Sequence, residues 1–288
     1  MRAADASSAT RAALTDDREQ SMTDDHQRHL LTRRRTLSLL GSSGAALLAA
    51  GTAGRLPIAL ARSEGHDHVA NAASACVLTA EQEEGPFYVA VDDVRQDIVL
   101  RQTGLPLDLT ITIISTHTCK PLKHAAVDIW HCNADGVYSD ISSEQTLGQT
   151  YLRGVQFTDN HGQVTFKTIF PGHYSGRTTH IHARIHISSG DYRGKLVGGH
   201  VAHTGQLFPS DAVNAEVYKL ASYSTETAAV VAHPADRVWT QQHGAQGLLK
   251  IAKLGNRLSK GLTASVTLAV NPSATPALIG AASPSRSG

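Results

Sequence analysis

The stretch that most constrains this chain is Pro171-Gly-His-Tyr-Ser-Gly-Arg-Thr-Thr-His-Ile-His-Ala-Arg-Ile-His-Ile187. In its second half Ile181, Ala183, Ile185 and Ile187 share one parity, and His180, His182, Arg184 and His186 share the other. A side-chain period of two specifies a β-strand with one apolar face and one imidazole-bearing face. Residues i and i+2 on a strand point the same way, about 6 to 7 Å apart. His180 and His182 can therefore share one metal ion through bonds of roughly 2 Å. His186 has the same parity but lies about 13 Å further along the strand from His182, too far to join them. Tyr174 and Arg177 stand just upstream, on a turn opened by Pro171 and Gly172. One short segment thus offers a phenol, a guanidinium and two imidazoles. In a chain with 16 His, a bare His-x-His can also be no more than a His-rich strand, so the surrounding motifs decide.

The flanking chain reads as β-structure. Residues 107–114 and 126–131 alternate like strands, and the turn around Lys120 and Pro121 between them predicts a hairpin or meander. Residues 155–158 and 163–166 flank Asp159-Asn-His-Gly162, which predicts a second hairpin. Residues 264–270 form a closing strand, while 210–255 read as loops with short helical pieces around 214–220. Closely spaced strand signals without a long amphipathic helix predict an all-β sandwich with long loops. There is no internal repeat.

The first sixty residues do not belong to that fold. Thr32-Arg-Arg-Arg-Thr-Leu-Ser38 reads as a twin-arginine signal, residues 36–54 carry no charge, and Ala59-Leu-Ala61 supplies a small-x-small cleavage site. The uncharged span is too weakly hydrophobic for a transmembrane helix. The expectation is a signal peptide over 1–61, handled by the twin-arginine export machinery, and a secreted product without stable membrane insertion. That route carries folded proteins, which suits a metalloprotein. Residues 62–75, with His66 and His68, read as a flexible linker, and 271–288 as a disordered tail. The whole chain carries a net charge of +1 and has no basic stripe, which excludes nucleic acid as a partner.

Three cysteines, Cys76, Cys119 and Cys132, follow the signal. In an oxidising compartment one pair is expected to bridge, leaving one thiol. If 107–114 and 126–131 form a hairpin, Cys119 and Cys132 sit beyond the ~7 Å Cα separation a bridge allows. Cys76 with Cys119 is the preferred pair. No Cys-x-x-Cys pair is present to mark a structural zinc or redox site.

Glu84-Gly-Pro-Phe-Tyr88, Val127-Asp-Ile-Trp-His-Cys-Asn-Ala-Asp-Gly-Val-Tyr138, Tyr151-Leu-Arg-Gly-Val-Gln-Phe-Thr-Asp159 and the Tyr174, Arg177, His180, His182 motif occur in that order. Together they resemble the intradiol ring-cleavage dioxygenases, the catechol and protocatechuate dioxygenases, and especially their secreted members. The resemblance covers residues 76–270 as one domain. It implies a transthyretin-like β-sandwich and one Fe(III) per chain, held by Tyr138, Tyr174, His180 and His182. It further implies a small aromatic diol and O₂ as substrates, with Tyr174 displaced and accepting a proton. Arg177 would stabilise negative charge on the ring, and Gly85, Pro86 and Gln206 would contribute to the substrate pocket. The residue chemistry agrees, since two phenolates favour Fe(III), whereas two His with one carboxylate suit Fe(II). His131, His161, His173, His200 and His203 are read as hydrogen-bonded residues rather than ligands.

Two rivals belong to other classes. A cupin-like or zinc- or copper-binding β-sandwich would use His180, His182 and His186, but the acid such a pattern wants after the His pair is replaced by Arg184. A non-catalytic module binding aromatic or polysaccharide surfaces would need an exposed aromatic strip, and only 5% of the residues are aromatic. The signal generates its own test. Replacing Arg33, Arg34 and Arg35 together with Lys is expected to retain the precursor inside the cell; unchanged export, followed by cell fractionation, would contradict the twin-arginine assignment.

Overall fold

The computed structural model describes residues 77–225 and 227–280. The signal, the linker, His66, His68, Cys76 and residues 281–288 lie outside the described residues. The strands are β1 (Pro106–Ser115), β2 (Ala126–Trp130), β3 (Arg153–Phe157), β4 (Gln163–Ile169), β5 (Ile181–Tyr192), β6 (Lys195–Leu207), β7 (Lys250–Lys253) and β8 (Leu262–Val270). They form two four-stranded sheets, ordered β3-β2-β5-β6 and β4-β1-β8-β7. The expected all-β sandwich is what the chain forms.

The core follows from alternation. Leu107, Leu109, Ile111 and Ile113 of β1 are buried, while Asp108 between them is exposed. They share one apolar cluster with Val127 and Ile129 of β2, Ile181, Ala183 and Ile185 of β5, and Leu262, Ala264, Val266 and Leu268 of β8. The other face of the β2–β5 sheet is also covered. Val94 pairs with Val155 of β3, and Phe87 and Tyr88 pack against Trp130 and Tyr138. The polar face of β5 is therefore enclosed, which is why His182, Arg184 and His186 are buried rather than solvated.

Neither expected hairpin forms. β1 pairs with β4 and β8, whereas β2 pairs with β3 and β5 in the opposite sheet. The Lys120–Pro121 turn does close back on β1, through Ser115 N–H to Lys120 O and Leu122 N–H to Ile113 O, before the chain crosses over. Likewise Asp159 Oδ1 accepts from His161 and Gln163 N–H, yet β3 and β4 on either side of this tight turn belong to different sheets. The reason is burial: the apolar sides of β1 and β2 need each other across the sandwich, and a shared sheet would aim both at the same side. The 195–207 strand was not expected, because Gly198, Gly199, Gly205 and two His blur its parity. It pairs with β5 across a turn in which Arg193 and Gly194 both have positive φ, of 55° and 77°. Cys119 is disulfide-bonded and Cys132 is a buried thiol, although the hairpin argument for that division does not hold.

Two short helices matter for the site. α1 (Asp211–Val217) falls within the stretch expected to contain helical pieces, and α2 (Arg237–Gln241) is capped by Asp236, which accepts from Trp239 N–H. No helix among the described residues is long and apolar enough to cross a membrane. Of the expected tail, 271–280 holds no strand or helix, and Pro272 O accepts from His200 Nε2 at 3.2 Å.

Leu109→Ala on the central strand β1 is expected to lower the unfolding free energy by about 2–5 kcal/mol. Asp108→Asn on the opposite, exposed side should change it by less than about 0.5 kcal/mol. Urea unfolding of both variants measures the difference, and equal losses would contradict this assignment of faces.

Candidate metal centre

Each candidate ligand is delivered by a local device. Asn133 Oδ1 accepts from Asp135 N–H at 3.0 Å and Val137 N–H at 2.9 Å, and Gly136 takes φ 77°. This turn after β2 swings Tyr138 inward, where it is 1% exposed. Thr146 Oγ1 donates to Tyr138 O at 2.6 Å, and the ring stacks on Phe87 with centroids 4.6 Å apart. Arg153 is also buried and donates to Ser139 Oγ, Ser139 O and Phe87 O, which ties both neighbours of the Tyr138 ring together.

The second turn is locked to the first. Gly172 N–H donates to Asn133 O at 3.0 Å, and a Cβ at Gly172 would lie 2.5 Å from that same oxygen. Only glycine allows this approach, so the Tyr138 and Tyr174 turns hold a fixed relation. Tyr174 is half-buried, with Ser175 and Gly176 exposed beyond it.

The two histidines complete the cluster. His180 Nδ1 donates to Thr178 O at 2.6 Å, which leaves the Nε2 lone pair turned inward. Tyr174 Oη lies 3.1 Å from His180 Nε2, and His182 Nε2 also lies 3.1 Å from it. His182 lies flat against Trp130, with centroids 4.7 Å apart and planes at 4°. Gly85 borders its other edge, since a Cβ there would be 3.3 Å from His182 Cε1. Tyr138 Oη is buried and makes no hydrogen bond of normal length. Its ring centroid is 5.8 Å from that of Tyr174 and 6.4 Å from that of His182.

Electrostatics prepare these groups as donors. Burial lowers His180 to about 3, with the Arg177 charge acting in the same direction, and lowers His182 well below its ordinary value. Both imidazoles are therefore neutral, the form that ligates metal. Burial raises the Tyr138 phenol far above its usual range, reinforced by Tyr174, and raises Tyr174 as well. A cation among them reverses that preference by stabilising phenolate. Among the described residues no group of three or more His, Cys, Asp or Glu is placed to hold a metal ion. His180 and His182 are the two imidazoles that meet here, and the side chains beside them that could add oxygen ligands are Tyr138 and Tyr174. The converging set of two phenols and two neutral imidazoles, with one buried hydroxyl unpartnered, fits Fe(III).

Around this cluster Arg177 donates through Nε to Asp236 Oδ2 at 2.8 Å and through Nη2 to Gln206 Oε1 at 2.5 Å, and its Nη1 is 3.7 Å from Glu83 Oε1. Gln206 pairs with His182 across β5 and β6, so the expected pocket glutamine does reach the site. Pro86 is exposed in its turn and makes no polar contact with the cluster. His131 is buried between Cys132 O and Thr168 Oγ1, His203 is held by Glu81, and His186 is buried apart from the cluster. Sequence reasoning missed Asp236 and Glu83. Asp236 opens α2 two residues after Pro234, a helix-start signal, but nothing local to it points to Arg177. Burial works to raise the Asp236 carboxyl, yet the Arg177 hydrogen bond and backbone donors hold it below its usual value.

Residues 83–233, just over half of the chain, match the family model described as Dioxygenase. A stretch of 96 residues, 32% of this chain, is 36% identical to the catechol 1,2-dioxygenase of Acinetobacter baylyi, and spans 30% of that protein's length. The solved intradiol ring-cleavage dioxygenase from Tetranychus urticae is similar at 33% identity and a TM-score of 0.61, over 70% of this chain and 98% of that one. A second solved dioxygenase is similar at 32% identity and a TM-score of 0.63, with the same coverage of each chain. The chain belongs to the intradiol ring-cleavage dioxygenase family.

Proposed function

We propose that this protein is a non-haem Fe(III) dioxygenase that cleaves catechol-type rings between the two hydroxyl-bearing carbons, using O₂ and giving muconate-type diacids. The convergence of Tyr138, Tyr174, His180 and His182 carries this reading. When bound, ferric iron supplies a Lewis acid that takes the diol as its catecholate and makes the ring electron-rich toward O₂. The export signal supports a site of action outside the cytoplasm.

The two tyrosines have different roles because their surroundings differ. Tyr138 is fully enclosed and tied at both neighbours, so it stays in place. Tyr174 is half-buried beside the exposed Ser175 and Gly176, and its hydroxyl lies 3.1 Å from His180 Nε2. It can swing aside, and its phenolate oxygen then accepts the proton of an incoming substrate hydroxyl. The Thr178 carbonyl keeps His180 Nδ1 protonated, so Nε2 cannot drift into the wrong tautomer. Arg177, held by Asp236 and Gln206, would supply a fixed positive charge to stabilise negative charge developing on the ring.

The same geometry bears on substrate class. Of the cations near the cluster, Arg177 has Asp236 and Glu83, Arg237 has Glu83, and Arg184 has Glu84, while Arg153 is buried and turned to Ser139 and Phe87 O. The 139–152 segment carries Asp140 and Glu144 and no Lys or Arg. A carboxylate on the substrate would have to compete for a paired cation, and gains at most the ~1 kcal/mol of an exposed pair. Catechol or hydroxyquinol should therefore match or exceed protocatechuate in kcat/KM. Oxygen uptake with product analysis across these three diols tests both halves. A yellow semialdehyde product would refute intradiol cleavage, and a hundred-fold preference for protocatechuate would refute the pocket argument alone.

A further inference from the structure

Asp236 is fully buried, and its carboxylate makes three hydrogen bonds. Oδ1 accepts from Trp239 N–H at 2.8 Å, as capping α2 requires. Capping needs only one oxygen, which Ser, Thr or Asn could supply equally. The second oxygen, Oδ2, does something else: it accepts from Arg177 Nε at 2.8 Å and from Thr178 N–H at 2.9 Å. Thr178 is the residue whose carbonyl orients His180 Nδ1 at 2.6 Å. One oxygen thus fixes both the guanidinium beside the cluster and the peptide that aims a candidate ligand. With Nε held by Asp236 and Nη2 held by Gln206, the guanidinium plane has no freedom to rotate.

We infer that Asp236 is a positioning residue for ring cleavage, acting through Arg177. The inference rests on the ring-cleavage function proposed above. Asp236 also lies three residues beyond the 83–233 stretch matched by the family model. A displaced guanidinium still carries its charge, but a charge shifted by about 1 Å can lose on the order of a hundred-fold in rate. Substrate binding through the diol does not depend on it, so the loss falls on kcat rather than KM.

A double-mutant cycle with catechol separates this role from a merely structural one. Asp236→Asn is expected to lower kcat by about 10- to 100-fold, with KM within about three-fold and metal content unchanged. In an Arg177→Gln background the same substitution should lower kcat by less than about two-fold, because the group it acts through is gone. Asp236→Ser keeps a cap for α2 but cannot span to Arg177, so it should reproduce the kinetic loss should the Asn variant fold poorly. Full, additive losses in the double variant, or a single variant with wild-type kcat, would overturn the inference. A wild-type protein that cleaves no diol would instead defeat the functional reading. The positioning claim then stands or falls on the crystal structure of Asp236→Asn, where an Arg177 guanidinium left in place overturns it and a displaced one upholds it.

Discussion

The antiparallel register of β2 against β5 is the constraint from which the rest of the site follows. Trp130 pairs with His182, so the last residue of β2 sits beside the second residue of β5. Because the strands run in opposite directions, the end of β2 and the start of β5 lie at the same edge of the sheet. The turn leaving β2 carries Tyr138, and the turn entering β5 carries Tyr174. Both phenols therefore reach the histidine pair from one edge. A slip of one residue in this register would aim His182 into the apolar core and Ile181 or Ala183 at the cluster, and so the core and the site enforce the same pairing.

That edge is then tied together and largely enclosed. The contact between Gly172 and Asn133 O joins the two turns, Arg153 closes the Tyr138 side, and the 83–98 segment roofs the face of the sheet. Enclosure is costly for polar groups, and the raised phenols and lowered imidazoles express that cost. A trivalent cation would relieve it by favouring phenolate over phenol and by engaging the neutral imidazoles. Charge around the site is balanced in part by pairing and in part by neutral acceptors. Partly buried Arg177 is held against Asp236 and Glu83, whereas fully buried Arg153 turns its guanidinium to Ser139 and to Phe87 O.

Much of this was legible in the sequence because it is local. Alternation in 107–114, 126–131 and 180–187 marks strands whose apolar parity enters the common core, although in β2 and the start of β5 the polar parity is buried too, and the Asn133-to-Tyr138 and Pro171-to-His182 motifs mark the segments that present the four candidate donors. Partnership between strands was not legible. The turns at Lys120–Pro121 and Asp159–Gly162 are tight, but tightness does not say whether the next strand stays in the sheet or crosses the sandwich. β6 escaped notice for a different reason: its Gly and His residues carry no apolar alternation, and it is held by twelve-residue β5 across a hairpin. Asp236 is 59 residues from Arg177 in the chain, and only the packing of α2 beside the site reveals that they meet.

The central claim is that Tyr138, Tyr174, His180 and His182 form one ferric site. Resonance Raman spectroscopy of the purified protein, alongside metal analysis, tests it most directly. One iron per chain and tyrosinate ring modes enhanced within a broad visible band are the expected result, with Tyr174→Phe retaining the fold but altering that band. A colourless protein carrying stoichiometric zinc, or an iron protein without enhanced tyrosinate modes, would contradict it.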